Sequence, residues 1–140
     1  CRRAAHADVN AVIRIVAAVV LDDRHRVLVV RKRGTTAFMQ PGGKIEPGET
    51  PVQALHREIR EELGADIVAD SVRPLGHHDA AAANEPGYRV AADLFLVSLD
   101  RPPTPGAEIE EMAWVDPFAP GEIELAPLTL GAVLEFVRVS

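Results

Sequence analysis

Three glutamates, Glu58, Glu61 and Glu62, have the type and the spacing to act together in a chemical reaction. Residues three and four positions apart lie on one face of a helix, where like charges repel by about 0.2–0.5 kcal/mol per pair. A hard divalent cation would relieve this repulsion, because it binds carboxylate oxygens together with water and phosphate. The segment alone favours the alternative, a solvated charged face. A glycine-rich loop just before it, whose backbone can approach phosphate, favours the metal site.

The glutamates lie in the second half of a predicted helix whose two ends are well marked. Thr50 is the expected N-cap, with Pro51 at the first helical position and Gln53 completing a capping box. Gly64 favours the left-handed turn that ends many helices. An apolar stripe at helical spacing is expected to face the core, and it consists of Val52, Leu55, Ile59 and Leu63. The carboxylates lie roughly 100° around the helix from this stripe.

The segment that ends at Ala65 resembles the Nudix box. In this motif a glycine, a glutamate and an Arg-Glu-aliphatic-x-Glu-Glu-x-Gly-aliphatic run recur at fixed spacing. The matching residues are Gly43, Glu49, Arg57, Glu58, Ile59, Glu61, Glu62 and Gly64. Ala65 is the one departure, because the family usually has a bulkier aliphatic residue there, and the change touches no chemistry. So many specified positions in one short stretch make the resemblance to the Nudix hydrolases specific.

The resemblance implies an α/β fold, the Nudix α/β/α sandwich with a mixed central sheet. It also implies hydrolysis of a phosphoanhydride bond, with Mg²⁺ or Mn²⁺ as the cofactor. Glu58, Glu61 and Glu62 would hold the metal together with the carbonyl oxygen of Gly42. The implied catalytic residues are the same three glutamates and Arg57, which would hold Glu58 or the first glutamate of the box in position. Glu58, or a carboxylate later in the chain, would take the proton from water.

Three residues outside the helix are candidates for substrate binding. Lys32 lies in a basic cluster that follows a predicted strand, and in MutT-type relatives a basic residue near this position contacts phosphate. Lys44 adds a cation beside the glycine-rich loop, and Gln40 carries an amide able to read the edge of a base. The alternative for the basic cluster is solubilising charge at a strand end. Phe38 and Met39 are expected either in the core or in the wall of a base pocket.

A further catalytic or metal-binding carboxylate is expected in the loop before the last predicted strand, because family members often take one from there. The candidates are Glu108, Glu110 and Glu111, and the sequence does not choose among them. For any single one of them, a solvated acidic loop is an equally good interpretation.

The substrate expected from the resemblance is a nucleoside triphosphate. The compact chain and the Pro-Gly-Gly-Lys opening at 41–44 look most like MutT-type enzymes, which convert a (d)NTP to (d)NMP and pyrophosphate. Two alternatives stay open: a Nudix hydrolase acting on an ADP-sugar or a dinucleotide, and a non-catalytic Nudix module that senses nucleotides. The intact carboxylates argue against the second alternative, since a pure binder has no need to tolerate their repulsion.

Apolar runs predict the elements around the box. Residues 12–21 and 26–32 are continuous and β-branched, as buried strands are, and we expect them to pair as a hairpin. The later elements are a short strand with a turn at 66–76, an alanine-rich loop at 79–87, strands at 88–99 and 108–116, and an amphipathic helix at 127–138. The alanine-rich loop could line a base pocket, but no residue in it is a specific signal. Leu130 is expected on the apolar face of that helix.

Length and composition predict a single domain. The chain has 140 residues, of which 47% are hydrophobic and 26% charged, as is ordinary for a globular domain with one core. We therefore predict one Nudix domain over 1–140, with a loose leader at 1–10. The net charge of -6 argues against a nucleic-acid partner. The apolar run after the leader is too short to cross a bilayer, so no membrane partner is expected.

The cellular setting is predicted from the same features. Cys1 is the single cysteine and has no internal partner, which fits a reducing compartment. We expect a cytoplasmic monomer or homodimer whose partner is a small nucleotide substrate. The sequence does not begin with methionine, so we also expect further residues before Cys1.

Overall fold

The computed structural model describes residues 11–140, so the leader predicted at 1–10 lies outside the described residues. This part of the chain contains both strands and helices, as the predicted α/β class requires. In chain order they are β1 (Val12–Val20), β2 (Val27–Lys32), β3 (Gly42–Lys44), α1 (Pro51–Leu63), β4 (Arg73–Ala81), β5 (Arg89–Val97), β6 (Ile109–Val115) and α2 (Leu134–Val139). A 3₁₀ turn at Ala69–Ser71 precedes β4, and a π-helical turn at Thr129–Val133 precedes α2.

Two sheets form the centre of the fold. The larger one is mixed and has the strand order β3-β1-β5-β4, in which β1 pairs antiparallel with β3 and parallel with β5. The smaller one consists of β2 and β6, which pair antiparallel. A parallel pair needs a long crossover connection, and the chain between β1 and β5 contains α1.

Both faces of β1 are buried. Val16 and alternate residues along the strand pack against the apolar side of α1, which includes Leu55 and Ile59. Val19, on the opposite face, packs in a second cluster with Leu134 of α2. Successive strand residues point to opposite sides of a sheet, so the mixed sheet lies between two helical layers. The predicted α/β/α sandwich is confirmed.

Capping residues set the bounds of α1 as the sequence predicts. Thr50 Oγ1 accepts a hydrogen bond from the backbone N–H of Gln53 at 3.2 Å, and Gln53 Oε1 accepts one from the Thr50 N–H at 2.9 Å. Gly64 has φ 60° and ends the helix in the left-handed conformation that glycine tolerates best. The helix is therefore fixed at both ends, which fixes the direction of the side chains between them.

The predicted hairpin between residues 12–21 and 26–32 is wrong. The turn itself forms, since Asp22 Oδ1 accepts hydrogen bonds from the backbone N–H groups of Arg24 and Arg26. Within the described chain, however, a single bridge between Leu21 and Val27 joins the two segments. Because β3 and β5 occupy both edges of β1, no edge is left for β2, which pairs with β6 instead.

Smaller differences concern β4 and two apolar residues. β4 extends to Ala81 through residues predicted as a turn and a loop, because pairing with β5 overrides the weak strand propensity of glycine and alanine. Val52 and Leu130, both predicted to face the core, are 39% and 53% exposed, and Ala54 is buried on α1 instead. Leu130 lies in the π-helical turn, whose wider repeat shifts the expected 3.6-residue pattern.

Candidate active site

Two adjoining cavities open beside α1. The charged cavity, of about 490 Å³, is lined by Lys32, Glu46, Arg57, Glu58, Glu61, Glu62 and Glu108. The apolar cavity, of about 410 Å³, has Ile13, Ile15, Met39, Val90 and Leu128 among its walls. Lys32, Glu46 and Glu58 line both cavities. A single molecule with a charged end and an apolar end can therefore occupy both at once.

Arg57 links the carboxylates of the charged cavity. Its Nε and Nη2 atoms donate to the two oxygens of Glu49 at 2.7 and 2.9 Å. Its Nη1 donates to Glu58 at 3.0 Å and to Glu61 at 3.2 Å, and its Nη2 donates to the carbonyl oxygen of Lys44 at 3.1 Å. The hydrogen bonds from Arg57 lower the pKa of Glu49 to about 2. Glu49 therefore stays ionised and holds Arg57 in the orientation that reaches Glu58.

Glu58 lies with its carboxylate against the backbone of Gly43. A Cβ atom at position 43 would overlap this carboxylate, so glycine is what allows the close approach. The Glu58 side chain is 16% exposed. This burial raises the pKa of Glu58 in spite of the bond from Arg57. A carboxylate with a raised pKa is better suited to take a proton from water near neutral pH.

Glu62 is buried more deeply than the other two glutamates. Its side chain is 6% exposed, one oxygen accepts a hydrogen bond from the Gly42 N–H at 3.1 Å, and the other lies 3.7 Å from Lys32 Nζ. Burial raises the pKa of Glu62 to about 7, because these partners replace only part of the lost hydration. Glu61, in contrast, is 57% exposed. The three glutamates of the predicted common face thus differ in exposure, from Glu61 in solvent to Glu62 in the interior.

Within residues 11–140, no three His, Cys, Asp or Glu side chains converge as ligands around one point. Glu58 and Glu61 instead bond Arg57, while Glu62 faces Lys32. The donor chemistry still fits a hard divalent cation, since burial raises the pKa of two of these carboxylates and a cation would supply the missing positive charge. Gly42 meets Glu62 through its N–H, and a role for its carbonyl oxygen stays a prediction.

Some of the predicted site residues outside α1 line the two cavities, and others do not. Lys32 and Glu108 line the charged cavity. Glu110 and Glu111 are instead paired with the arginines on either side of Lys32, at 2.8 and 2.6 Å. Glu108 is therefore the one of the three acidic candidates that lies at the site, and its role stays a prediction. Lys44 lines the apolar cavity near its junction with the charged one.

Gln40 lines the apolar cavity, but its amide is bonded within the protein. Its Nε2 donates to the carbonyl oxygen of Ala18 at 2.9 Å, and its Oε1 accepts from Thr129 Oγ1 at 2.9 Å. Gln40 thus ties the cavity wall to β1 and to the turn before α2, and its role in reading a base stays a prediction. Of the two residues before it, Met39 lines the cavity and Phe38 is buried in the core.

Glu46 and Asn84 are among the cavity residues that were not named as candidates from the sequence. Glu46 lines both cavities and lies 3.9 Å from Arg57. Asn84, in the loop after β4, lines the apolar cavity, and its Nδ2 is buried with no hydrogen-bond partner among the described residues. The position of Glu46 inside the box segment is a signal that could have identified it. The sequence allows the alanine-rich loop at 79–87 to line a base pocket, but nothing in it singles out Asn84.

The sequence of the chain matches a known protein family. The sequence pattern of the NUDIX domain matches residues 12–130, a span that contains every described residue lining the two cavities. The chain belongs to the Nudix family. The resemblance drawn from the box is confirmed, and so is the predicted enzyme class, a hydrolase acting on acid anhydrides.

Among residues 11–140 of this Nudix protein, no helix is both long enough and apolar enough to cross a membrane.

Curated relatives and solved structures agree with this family. An 8-oxo-dGTP diphosphatase from Proteus vulgaris is 34% identical over 88 residues, which cover 59% of this chain and 74% of the relative. The nucleoside triphosphatase NudI from Enterobacter sp. (strain 638) is 37% identical over 81 residues, which cover 53% of this chain and 57% of the relative. A MutT NUDIX hydrolase from Burkholderia pseudomallei has a TM-score of 0.75 at 23% identity, over 89% of this chain and 96% of that one, which supports the fold.

Proposed function

We propose that this Nudix protein hydrolyses a nucleoside triphosphate, (d)NTP, to (d)NMP and pyrophosphate with Mg²⁺ or Mn²⁺ as cofactor. The observation that carries the proposal is the junction of the two cavities at Lys32, Glu46 and Glu58. The apolar cavity suits the flat ring of a base, and the charged cavity suits a polyphosphate with its cation. The relatives named as a diphosphatase of 8-oxo-dGTP and a nucleoside triphosphatase support the same substrate class.

Substrate binding is proposed to begin at the junction of the cavities. Lys32 and Lys44 would contact phosphate oxygens there, since both line the apolar cavity at its charged end. Glu58, Glu61 and Glu62, with the carbonyl oxygen of Gly42, would hold a divalent cation. When bound, this cation would supply positive charge for the phosphates and would make a nearby water more acidic.

Glu58 is the proposed general base. Its carboxylate is fixed between Arg57 and Gly43, and burial raises its pKa. The oxygen of water forms a bond to phosphorus while Glu58 takes the water proton. The bridging P–O bond then breaks, and its electron pair leaves with the (d)NMP phosphate. Glu108 lines the same cavity and is the alternative base.

A nucleotide panel with excess Mg²⁺ tests this proposal. We expect pyrophosphate release from triphosphates, loss of turnover in excess chelator, and recovery when Mg²⁺ or Mn²⁺ is added back. Cleavage of an ADP-sugar or a dinucleotide without turnover of any triphosphate would overturn the substrate class and keep the chemistry of the box. Nucleotide binding without any turnover would instead identify a sensing module. Full activity in chelator would overturn the metal site.

The products also report where water attacks. After hydrolysis in ¹⁸O-water, mass spectrometry should find the label in pyrophosphate, which means attack at the β-phosphorus. Label in the monophosphate would mean attack at the α-phosphorus. Release of (d)NDP and orthophosphate would mean cleavage at the γ-phosphate and would overturn the pyrophosphohydrolase assignment.

The remaining expectations about the whole protein stay predictions. They are a cytoplasmic location, a monomeric or homodimeric state, and a small nucleotide rather than a nucleic acid as the partner. Light scattering of the purified protein measures the oligomeric state. A filter-binding assay with single- and double-stranded DNA and RNA measures nucleic-acid affinity.

A further inference from the structure

Lys32 differs from the arginines on either side of it. Those two arginines pair with carboxylates of β6 at 2.6 and 2.8 Å. Lys32 reaches α1 instead, where its Nζ lies 3.7 Å from Oε2 of Glu62. The register between β2 and β6 shifts between Arg31 and Lys32, and such irregularities often redirect a side chain beside a functional site. Of these three consecutive cations, Lys32 is therefore the one that lines the charged cavity.

The ion pair of Lys32 and Glu62 joins a half-exposed group to a buried one. The Lys32 side chain is 37% exposed and the Glu62 side chain 6%. Among the described residues, Lys32 is the one cation within 4.0 Å of Glu62, and a buried carboxylate that loses its countercharge is strongly destabilised. The distance of 3.7 Å is longer than a direct hydrogen bond, and a lysine ammonium moves easily on its flexible stem. Lys32 can therefore leave Glu62 when another positive charge takes its place.

The position of Lys32 brings a second partner within its reach. Lys32 lines both cavities at their junction. In the proposed function a phosphate group lies at this junction, and Glu62 helps to hold a divalent cation. While Lys32 is paired with Glu62, the carboxylate offsets the attraction between Lys32 and a phosphate. Releasing Lys32 from Glu62 would remove this obstacle to phosphate binding.

We propose that Lys32 is the countercharge of Glu62 in the cation-free protein and transfers to the polyphosphate when a divalent cation binds Glu62. This inference rests on the proposed function, which assigns Glu62 to the cation and Lys32 to phosphate. The cation and the polyphosphate then bind with positive coupling, and each raises the affinity for the other by the same factor. Part of this coupling depends on Lys32, and that part can be measured.

A double-mutant cycle in the absence of any cation tests the proposal. Glu62→Gln removes the charge that holds Lys32 and keeps an oxygen that can accept from the Gly42 N–H. Calorimetry in excess chelator, at about pH 8.5 so that Glu62 is ionised, measures the affinity for inorganic tripolyphosphate. Glu62→Gln should bind it about tenfold or more tightly than the wild type. In a Lys32→Met background the same substitution should gain about threefold or less, because no ammonium remains to be released.

Glu61→Gln is the matched control. It removes the same charge from the same cavity, but Glu61 is bonded to Arg57 and not to Lys32. Its gain in affinity should be equal with and without Lys32→Met. Lys32→Arg keeps the cation and should restore the large gain from Glu62→Gln. A gain from Glu62→Gln that persists in full with Lys32→Met would reflect a general loss of negative charge and would overturn the inference, as would the absence of any gain.

Binding of Mn²⁺ to the nucleotide-free protein gives a second measurement. Electron paramagnetic resonance should find that Lys32→Met binds Mn²⁺ about threefold or more tightly than the wild type, because no ammonium competes for Glu62. Lys32→Gln should behave in the same way, and urea unfolding checks that both variants are folded. An unchanged or weaker affinity for Mn²⁺ in these variants would overturn the inference.

Neither measurement requires hydrolysis, so the inference and the proposed function can fail separately. Coupling between Lys32 and Glu62 in the cycle, with no turnover of any triphosphate in Mg²⁺, would overturn the proposed function alone. Turnover of triphosphates without this coupling would overturn the role of Lys32 alone. The absence of both would overturn both.

Discussion

The two cavities of this Nudix protein are assembled from the sequence in different ways. The charged cavity takes Arg57, Glu58, Glu61 and Glu62 from one helix. The apolar cavity collects its walls from β1, β3, the loop after β4 and the turn before α2, which meet only after the mixed sheet has formed. The residues proposed for the chemistry are therefore encoded locally, and those proposed to select the substrate are brought together by the fold as a whole. Substitutions in the two cavities should accordingly differ in kind.

The largest effect is expected in the charged cavity. Glu58→Gln, Glu61→Gln and Glu62→Gln should each lower kcat by about 100-fold or more, because each removes a charge that the reaction needs. Urea unfolding should find an intact fold, since removing one of several like charges relieves repulsion. Glu111→Gln is the control, because Glu111 pairs with an arginine instead of lining the cavity, and it should keep its activity. A normal kcat in the three variants would mean that the acidic face is structural.

The stability of the metal-free protein should fall as the pH rises from about 4.5 to about 7. Burial raises the pKa of Glu62 from 4.5 to about 7, so the folded state keeps a proton that the unfolded state releases. This contribution is complete below the unfolded pKa and is lost above about pH 7, by at most about 3 kcal/mol. Burial also raises the pKa of Glu58, which adds to the slope in the same direction, whereas Lys32 opposes the shift of both.

Urea unfolding in chelator between about pH 5 and pH 8 measures this slope. Glu62→Gln should flatten it, and Mg²⁺ should raise the stability most at the alkaline end, where the carboxylates are ionised. An unchanged slope in Glu62→Gln would contradict the burial argument. The apolar cavity offers the contrast, because Thr129→Val introduces no titrating group and should leave the slope as it is.

A substitution at Gly43 should separate activity from stability within the charged cavity. The Cβ of Gly43→Ala would displace the Glu58 carboxylate, and kcat should fall by about tenfold or more. The free energy of unfolding should change little, because the nearest atoms are the far end of the Glu58 side chain and not backbone. Gly131→Ala is the matched control, since its Cβ would meet no atom within 4 Å. Gly131→Ala should keep full activity. Equal activity of Gly43→Ala and Gly131→Ala would contradict the role of the Gly43–Glu58 contact in turnover.

The smallest effect is expected from the wall of the apolar cavity. Thr129→Val leaves Gln40 Oε1 without its partner and should lower the free energy of unfolding by about 1–2 kcal/mol. The kcat should stay within about twofold, because no group of the charged cavity moves. Thr36→Val makes the same change at an exposed position outside both cavities and should change the free energy of unfolding by less than about 0.5 kcal/mol. A large loss of kcat in Thr129→Val would contradict the claim that the wall of the apolar cavity affects stability and not turnover.

The same division explains how much of the molecule could be predicted from the sequence. Thr50, Gln53 and Gly64 act on atoms within one helical turn, so the bounds of α1 follow from the residues themselves. Arg57 reaches Glu49, Glu58 and Glu61 for the same reason. These local contacts also carry the Nudix resemblance, which is why the chemistry was predictable before the fold was known.

Predictions failed where distant segments decide the outcome. The hairpin of residues 12–21 and 26–32 is replaced because β5, far along the chain, occupies an edge of β1. The bonds of Gln40 to Ala18 and Thr129 also come from two other elements, and its role in substrate binding stays a prediction. Asn84 lines the apolar cavity only because its loop folds over it. None of these partners can be identified from spacing along the sequence.

During synthesis, β1 leaves the ribosome well before its parallel partner exists. Val12 pairs with Arg89 and Val20 pairs with Val97, so the edge of β1 must wait for the whole intervening chain. At the usual rate of translation this interval lasts about 4 to 15 s. An apolar strand with an open edge can pair with any neighbouring chain in that time, including another copy of itself. A nascent chain that stops before β5 therefore contains the complete Nudix box and is at the same time prone to aggregate.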